Sequence, residues 1–300
     1  MTFGYQSTLY VLAFDHRGSF QKKFFGVEGE PTPEETAKIA DAKAVIFEGF
    51  QKALADGLSQ QSAGILVDEQ FGAAIAHTAK AQGIRFAMPA EKSSQDEFDF
   101  EFPDWQAHIQ AFDPTFVKVL VRYNPAGDGA VNARQSARLK ELSDWLHATN
   151  RKFLFELLVP ATDGQFAGVN GDAGRFDREV RPELMRTSIA ELQAAGVEPD
   201  IWKIEGIDTR EQCEHVSAQC RTGGRDEVAC VVLGRGADDA AVNHWLKMGR
   251  NVPGYLGFAI GRSIWWEPLK AFVDGTSPRV QAAGVIAENY RRFVEVYEKG

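Results

Sequence analysis

One feature limits the possible folds of this chain more than any other. Eight short apolar runs recur along its 300 residues, with longer stretches of helical periodicity between them. The runs are YVLAF (10–14), GILVD (64–68), IRFAM (84–88), FVKVLVRY (116–123), KFLFELLV (152–159), DIWKIE (200–205), EVACVVLG (227–234) and YLGFAIG (255–261). Short runs rich in β-branched and aromatic residues read as strands, and strands that alternate with helices read as a parallel sheet. Eight such units in a chain of this length predict an α/β fold, the (β/α)₈ or TIM barrel. A doubly wound open sheet is the rival, weakened because no GxGxxG or GxxxxGK[ST] follows an early strand. No linker, repeat or low-complexity segment divides the chain, so one barrel domain is expected over residues 1–300. The stretch PRVQAAGVIAENYRRFVEVYEKG reads as an extra C-terminal helix. Thr32-Pro33-Glu34-Glu35 has the order of a helix start: a cap residue, a proline, then acids.

Composition excludes several classes of function. A net charge of −9 repels nucleic acid and anionic membrane surfaces. No run approaches the ~20 apolar residues of a membrane span, and the first residues lack the basic start and cleavage site of a signal peptide. Cys213, Cys220 and Cys230 contain no CxxC pair, which suits reduced structural thiols in the cytoplasm. The six histidines form no HxH or HExxH, and only His16 sits at a strand end. No metal site is expected, with an Asp/Glu-bound Mg²⁺ the one metal reading left open.

Strand parity then sorts the side chains. Alternate residues of a barrel strand face the helices and the interior. Tyr10, Leu12 and Phe14 face out, as do Val117, Val119 and Val121, Phe153, Phe155 and Leu157, and Trp202 and Ile204. The opposite rows carry Asp15, Lys118 with Arg122, Glu156, and Lys203 with Glu205. Four strands therefore aim ionisable groups into one interior, where they must pair or line a wet pocket. A buried ion-pair network that only fills the barrel is the plain alternative.

These groups suit imine chemistry. A lysine held neutral by burial or a neighbouring cation is a nucleophile, and Lys203 with Lys118 nearby would meet both conditions, provided the strands are close. Its amine would attack a ketone, and the resulting iminium would take up electrons when an adjacent C–C bond breaks. Glu156, inward on the preceding strand, is the natural acid/base, and Asp15 would assist. Arginines follow strands seven and eight in LGRGAD and AIGRSIW, each after a glycine and ahead of a helix. These loops are the usual phosphate site of such barrels. The segment SQDEFDFEFPDW (94–105) is either a lid or a surface loop pinned by Phe98, Phe100 and Phe102.

LAFDHRGSF, AEKSSQD, FVKVLVRY, KFLFELL, DIWKIEG, VVLGRG and GFAIGRSIW, in that order, resemble the class I, Schiff-base tagatose 1,6-bisphosphate aldolase family. The chain is more similar still to the aldolase-like domain fused behind 5-dehydro-2-deoxygluconokinase in myo-inositol catabolism. The resemblance implies Lys203 as the imine lysine, Glu156 as acid/base, Lys118 near the reacting centre and Asp15 on the first strand. It implies Arg262 on phosphate, and His16, Arg17, Glu91, Arg122, Gly234, Arg235 and Gly261 are the further candidate substrate contacts, with Arg235 or Arg122 on a carboxylate. The covalent imine stands in place of a cofactor. Two departures lie where substrate would be read: Leu233-Gly234-Arg235-Gly236 replaces a small Ser-Ala-Gly segment, and EKSSQDEFDFEFPDW replaces an EKTGYD-like loop. They favour 2-deoxy-5-keto-gluconate 6-phosphate, cleaved to dihydroxyacetone phosphate and malonate semialdehyde, over tagatose 1,6-bisphosphate. A barrel that binds a phosphorylated metabolite without cleaving it is the non-catalytic alternative. The expected partner is a small phosphorylated sugar or sugar acid, with a homo-oligomer as an option.

Overall fold

The computed structural model describes residues 3–300. Its first half runs β1 (Leu9–Ala13), α1 (Gly18–Phe25), α2 (Pro33–Ala55), β2 (Ala63–Leu66), α3 (Glu69–Ala81), β3 (Arg85–Pro89), α4 (Trp105–Phe112), β4 (Phe116–Arg122) and α5 (Gly129–Ala148). The second half runs β5 (Lys152–Leu158), α6 (Asp163–Gly168), α7 (Ala173–Glu179), α8 (Arg181–Ala194), β6 (Ile201–Glu205), α9 (Arg210–Cys220) and β7 (Ala229–Leu233). It ends with α10 (Asp239–Gly249), β8 (Tyr255–Ile260), α11 (Arg262–Val273) and α12 (Arg279–Lys299). All eight strands pair in parallel in chain order, and β8 returns to β1 to close the barrel. Each sequence-predicted strand is present.

Local chemistry explains the boundaries. Thr32 accepts the Glu35 backbone N–H while the Glu35 carboxylate accepts the Thr32 N–H, a full capping box with Pro33 in the first turn of α2. Asp68, Asp128, Thr209 and Asp238 cap α3, α5, α9 and α10 with their side chains. The extra helix α12 packs across α2, α10 and α11 beside the β1–β8 seam.

The parity expectation holds. Tyr10, Leu12, Val119, Phe155, Trp202, Cys230 and Phe258 join the layer between strands and helices. Leu9, Phe116, Leu154, Ile201 and Ala229 fill the interior at its N-terminal end. Two residues further along their strands stand Lys118, Glu156 and Lys203, so the same barrel changes from an apolar plug to a charged layer. Cys213 and Cys220 share the buried face of α9, and all three cysteines are free thiols. Among the described residues no helix is long and apolar enough to cross a membrane.

Candidate active site

Pairing register decides which side chains meet. Glu156 lies opposite Lys203 in the β5–β6 pair, and Leu120 lies opposite Glu156 in the β4–β5 pair. Lys118 and Glu156 thus point inward from adjacent strands at staggered heights. The Lys203 ammonium donates to Glu156 Oε2 at 2.8 Å. Lys118 Nζ reaches the same oxygen at 3.2 Å, Asp15 Oδ2 at 2.8 Å and Glu91 Oε1 at 2.6 Å. The result is lysine–carboxylate–lysine, not two lysines face to face. Lys118 therefore does not press on Lys203 as an unscreened cation, which corrects the arrangement expected from parity.

The charges respond to one another. Burial opposes charging Lys118, but Asp15, Glu91 and Glu156 together hold its pKa above the ordinary lysine value. Burial also works against the Asp15 and Glu156 carboxylates. The lysines outweigh it and lower both pKa values, with His16 helping at Asp15. Glu91 goes the other way: burial dominates and raises its pKa. His16 is driven down to about 4 by burial, so its ring is neutral near pH 7.

These groups line a cavity of about 510 Å³ at the C-terminal ends of the strands, the end where barrel enzymes of this architecture keep their chemistry. Asp15, His16, Arg17, Glu91, Arg122, Arg235, Gly261 and Arg262 also reach its wall, so the structure brings nearly the whole sequence-predicted set together. Gly234 is the exception. It is buried against Ile260, where a Cβ would come within 3.1 Å, and Gly236 takes its place at the wall. Gly236 has a φ of +72°, and a Cβ there would collide with the Arg262 guanidinium at 2.6 Å.

Two predicted contacts are committed to the protein. Arg17 is buried, its guanidinium held by the Glu91 carbonyl at 2.5 Å and by Glu101 at 2.9 Å. Arg235, in the left-handed region at φ +55°, is paired with Asp177 at 2.7 Å and Glu205 at 3.2 Å. Arg262 donates to the Arg235 carbonyl at 2.7 Å, which ties the loops after β7 and β8 together. Gly261 starts α11 without a side-chain cap and lies so close to β1 that a Cβ would meet the Ala13 carbonyl at 2.2 Å. Unsatisfied amides at a helix start, beside an arginine, favour an anion.

Residues 94–105 behave as the pinned loop. Phe98 is buried and its N–H donates to Gln135 Oε1, while Phe100 stacks on Trp105 at 4.5 Å. Glu97 clamps Arg134 and Arg138 of α5. Only the start of the segment, Ser94 and Gln95, touches the cavity.

Sequence reasoning missed Arg181 and Lys43. Arg181, at the start of α8, lines the cavity, contacts Asp177 and Glu205, and lies over the Phe176 ring. Lys43 of α2 is fully buried, paired with Asp68, and donates to the carbonyls of Phe14 and His16 at 2.8 and 2.9 Å. It pins the backbone on both sides of Asp15, and burial lowers its pKa to about 7. Neither has a sequence signal, since parity does not extend into loops or helix interiors. No group of three or more His, Cys, Asp or Glu among the described residues has the arrangement to hold a metal ion.

The fold is similar to that of an archaeal fructose 1,6-bisphosphate aldolase, at a TM-score of 0.61 and 13% identity over 98% of this chain and 95% of that one. It is also similar to an archaeal fructose-1,6-bisphosphate aldolase with its catalytic lysine covalently bound to the carbinolamine intermediate of the substrate. That likeness has a TM-score of 0.58 and 13% identity, over 95% of this chain and 94% of that one. A fructose-bisphosphate aldolase from Slackia heliotrinireducens aligns at a TM-score of 0.56 and 12% identity, over 94% and 86% of the respective chains. At these identities the likeness speaks for the barrel and not for the chemistry. No curated protein matches the chain. The family described as "Uncharacterized protein conserved in bacteria (DUF2090)" matches residues 4–300, and the chain belongs to that family.

Proposed function

We propose that the protein is a class I aldolase that cleaves a phosphorylated keto sugar acid through an imine on Lys203. The observation that carries this reading is the 2.8 Å contact between Lys203 Nζ and Glu156 Oε2, at the head of an anion-friendly cavity. Glu156 accepts the ammonium proton, which frees the amine to attack the substrate ketone. The same carboxyl returns that proton to the carbinolamine hydroxyl, which leaves as water and gives the iminium. The C–C bond then breaks, its electron pair flows into the iminium to form an enamine, and a carboxylate takes the hydroxyl proton as the aldehyde departs. Protonation of the enamine carbon and hydrolysis of the iminium release the ketone and restore Lys203. Lys118, fixed as a cation by three carboxylates, stabilises negative charge that develops on substrate oxygen.

Arg262 and the start of α11 take the phosphate. Arg122, which lines the cavity and donates to the Gln95 carbonyl, takes a carboxylate at the other end of the substrate. It does so in preference to Arg235, which Asp177 and Glu205 already hold. That polarity suits 2-deoxy-5-keto-gluconate 6-phosphate, released as dihydroxyacetone phosphate and malonate semialdehyde. A ketose bisphosphate such as tagatose 1,6-bisphosphate is the alternative substrate. Borohydride reduction in the presence of substrate, read by mass spectrometry, tests the chemistry. A covalent adduct on Lys203 is expected, and no adduct on any lysine overturns the aldolase reading. A panel of phosphorylated keto acids and ketoses, assayed for dihydroxyacetone phosphate, then separates the substrates.

A further inference from the structure

The turn between β7 and α10 carries a residue that its backbone disfavours. The Gly234 carbonyl accepts the Ala237 N–H at 3.0 Å, which closes a four-residue turn. Its central residues, Arg235 and Gly236, have φ values of +55° and +72°. Two positive φ values in succession mark a turn of the I′ kind, where glycine, asparagine and aspartate are the usual occupants. For a long side chain the left-handed region is a strained choice. It persists only where surrounding contacts over-determine it.

The Arg235 side chain supplies those contacts. Its Nη1 donates to Asp177 Oδ2 at 2.7 Å, and its Nε lies 3.2 Å from Glu205 Oε1. Both acceptors are themselves anchored, Asp177 by Arg181 and Glu205 by the Val159 N–H at 2.9 Å. From the other side α11 grips the backbone of the same turn. Arg262 Nη2 donates to the Arg235 carbonyl at 2.7 Å, and Ser263 Oγ to the Ala237 carbonyl at 2.8 Å. Among the described residues Arg262 pairs with no carboxylate, so the Arg235 carbonyl is the acceptor that orients its guanidinium. Gly236 leaves the space which that guanidinium occupies.

We propose that Arg235 is a positioning residue. Its ion pairs with Asp177 and Glu205 hold the left-handed turn, and the carbonyl of that turn aims Arg262 at the anionic group of the substrate. Arg235 thus acts through its own backbone, and its guanidinium is spent on the protein. The use made of Arg262 rests on the reading that it takes the phosphate. The positioning does not.

Calorimetric titration with inorganic phosphate reads the subsite without turnover. Arg262→Ala should weaken phosphate binding by roughly 10–100-fold, and Arg235→Ala by about tenfold. The double variant should bind within about twofold of Arg262→Ala alone, and full additivity overturns the proposal. Asparagine enters the left-handed region far more readily than alanine. Arg235→Asn should therefore stay within about threefold of the wild type, and a loss equal to that of Arg235→Ala overturns the proposal. Asp177→Asn separates the two roles by sign. A positioning clamp that is loosened weakens phosphate binding, whereas tighter binding would show that Asp177 had been restraining an anion-binding Arg235, and overturns the proposal. A crystal structure of Arg235→Ala reads the geometry directly: the Arg262 guanidinium should leave its present place, and an unmoved one overturns the proposal. A wild type that binds no phosphate sinks the phosphate subsite alone, since that crystal structure still decides the positioning.

Discussion

The two ends of the barrel each bury a carboxylate beside a lysine, and they use it differently. At the N-terminal end, Asp200 has no solvent exposure. Its Oδ1 accepts from Gly4 N and Lys152 Nζ and its Oδ2 from Phe153 N, all at 2.8 Å. Burial works against that carboxylate, but His147, Lys152 and the Phe153 amide outweigh it and lower its pKa. At the C-terminal end, Glu91 shares its lysine with two other acids, leaves one oxygen without a partner and has a raised pKa. A buried carboxylate with both oxygens hydrogen-bonded is a rivet, and one with a bare oxygen is held less firmly.

The strongest way to break this contrast is to remove the proposed nucleophile. Lys203→Met should abolish borohydride trapping and lower kcat by about 10⁴-fold or more, with little change in Tm. A variant that retained the lysine adduct pattern or most of its turnover would place the chemistry elsewhere. The rivet should fail in the opposite currency. Asp200→Ala leaves the half-buried Lys152 without this partner and the Gly4 and Phe153 amides without their acceptor. It should cost roughly 2–4 kcal/mol of stability in denaturant unfolding, while KM of the folded fraction holds. Acid unfolding sharpens that test. A carboxyl whose folded pKa is depressed stabilises fully above its unfolded pKa of about 3.9. The contribution is lost as pH falls from there through the folded pKa, so the variant should show a flatter acid limb. The smallest effect belongs to the anion subsite. Arg262→Ala should raise KM by roughly 10–100-fold, the worth of a charged hydrogen bond, with kcat changed less. An unchanged KM for a phosphorylated substrate would move the phosphate away from α11.

Legibility in the sequence followed the same geometry. Strand parity is a strict two-residue rule, so Lys118, Glu156, Lys203 and Asp15 were placed inward from letters alone, and their contacts follow from register. Lys43 was invisible because a helix buries a wide stripe. A lysine within KIADAKAVIFEGF gives no sign that its ammonium reaches past the strands to the Phe14 and His16 carbonyls. Arg181 follows two short helices whose path no periodicity specifies. Gly234 and Gly236 look equivalent in LGRG, and only the turn at Arg235 decides that one packs on Ile260 and the other faces Arg262.

The helix α12 has a consequence for timing. Its Tyr290 hydroxyl donates to the Tyr10 carbonyl at 2.6 Å, and Asn289 donates to the Ile264 carbonyl at 2.9 Å. It therefore fastens the first strand to the last helix pair. During synthesis β1 appears first and waits for almost the whole chain before β8 arrives to pair with it. Until then β1 presents an open edge, the form of backbone most prone to pairing with another molecule. The ring can be latched only once α12 has followed β8, so the barrel stays open for the whole interval between the appearance of β1 and the arrival of that helix.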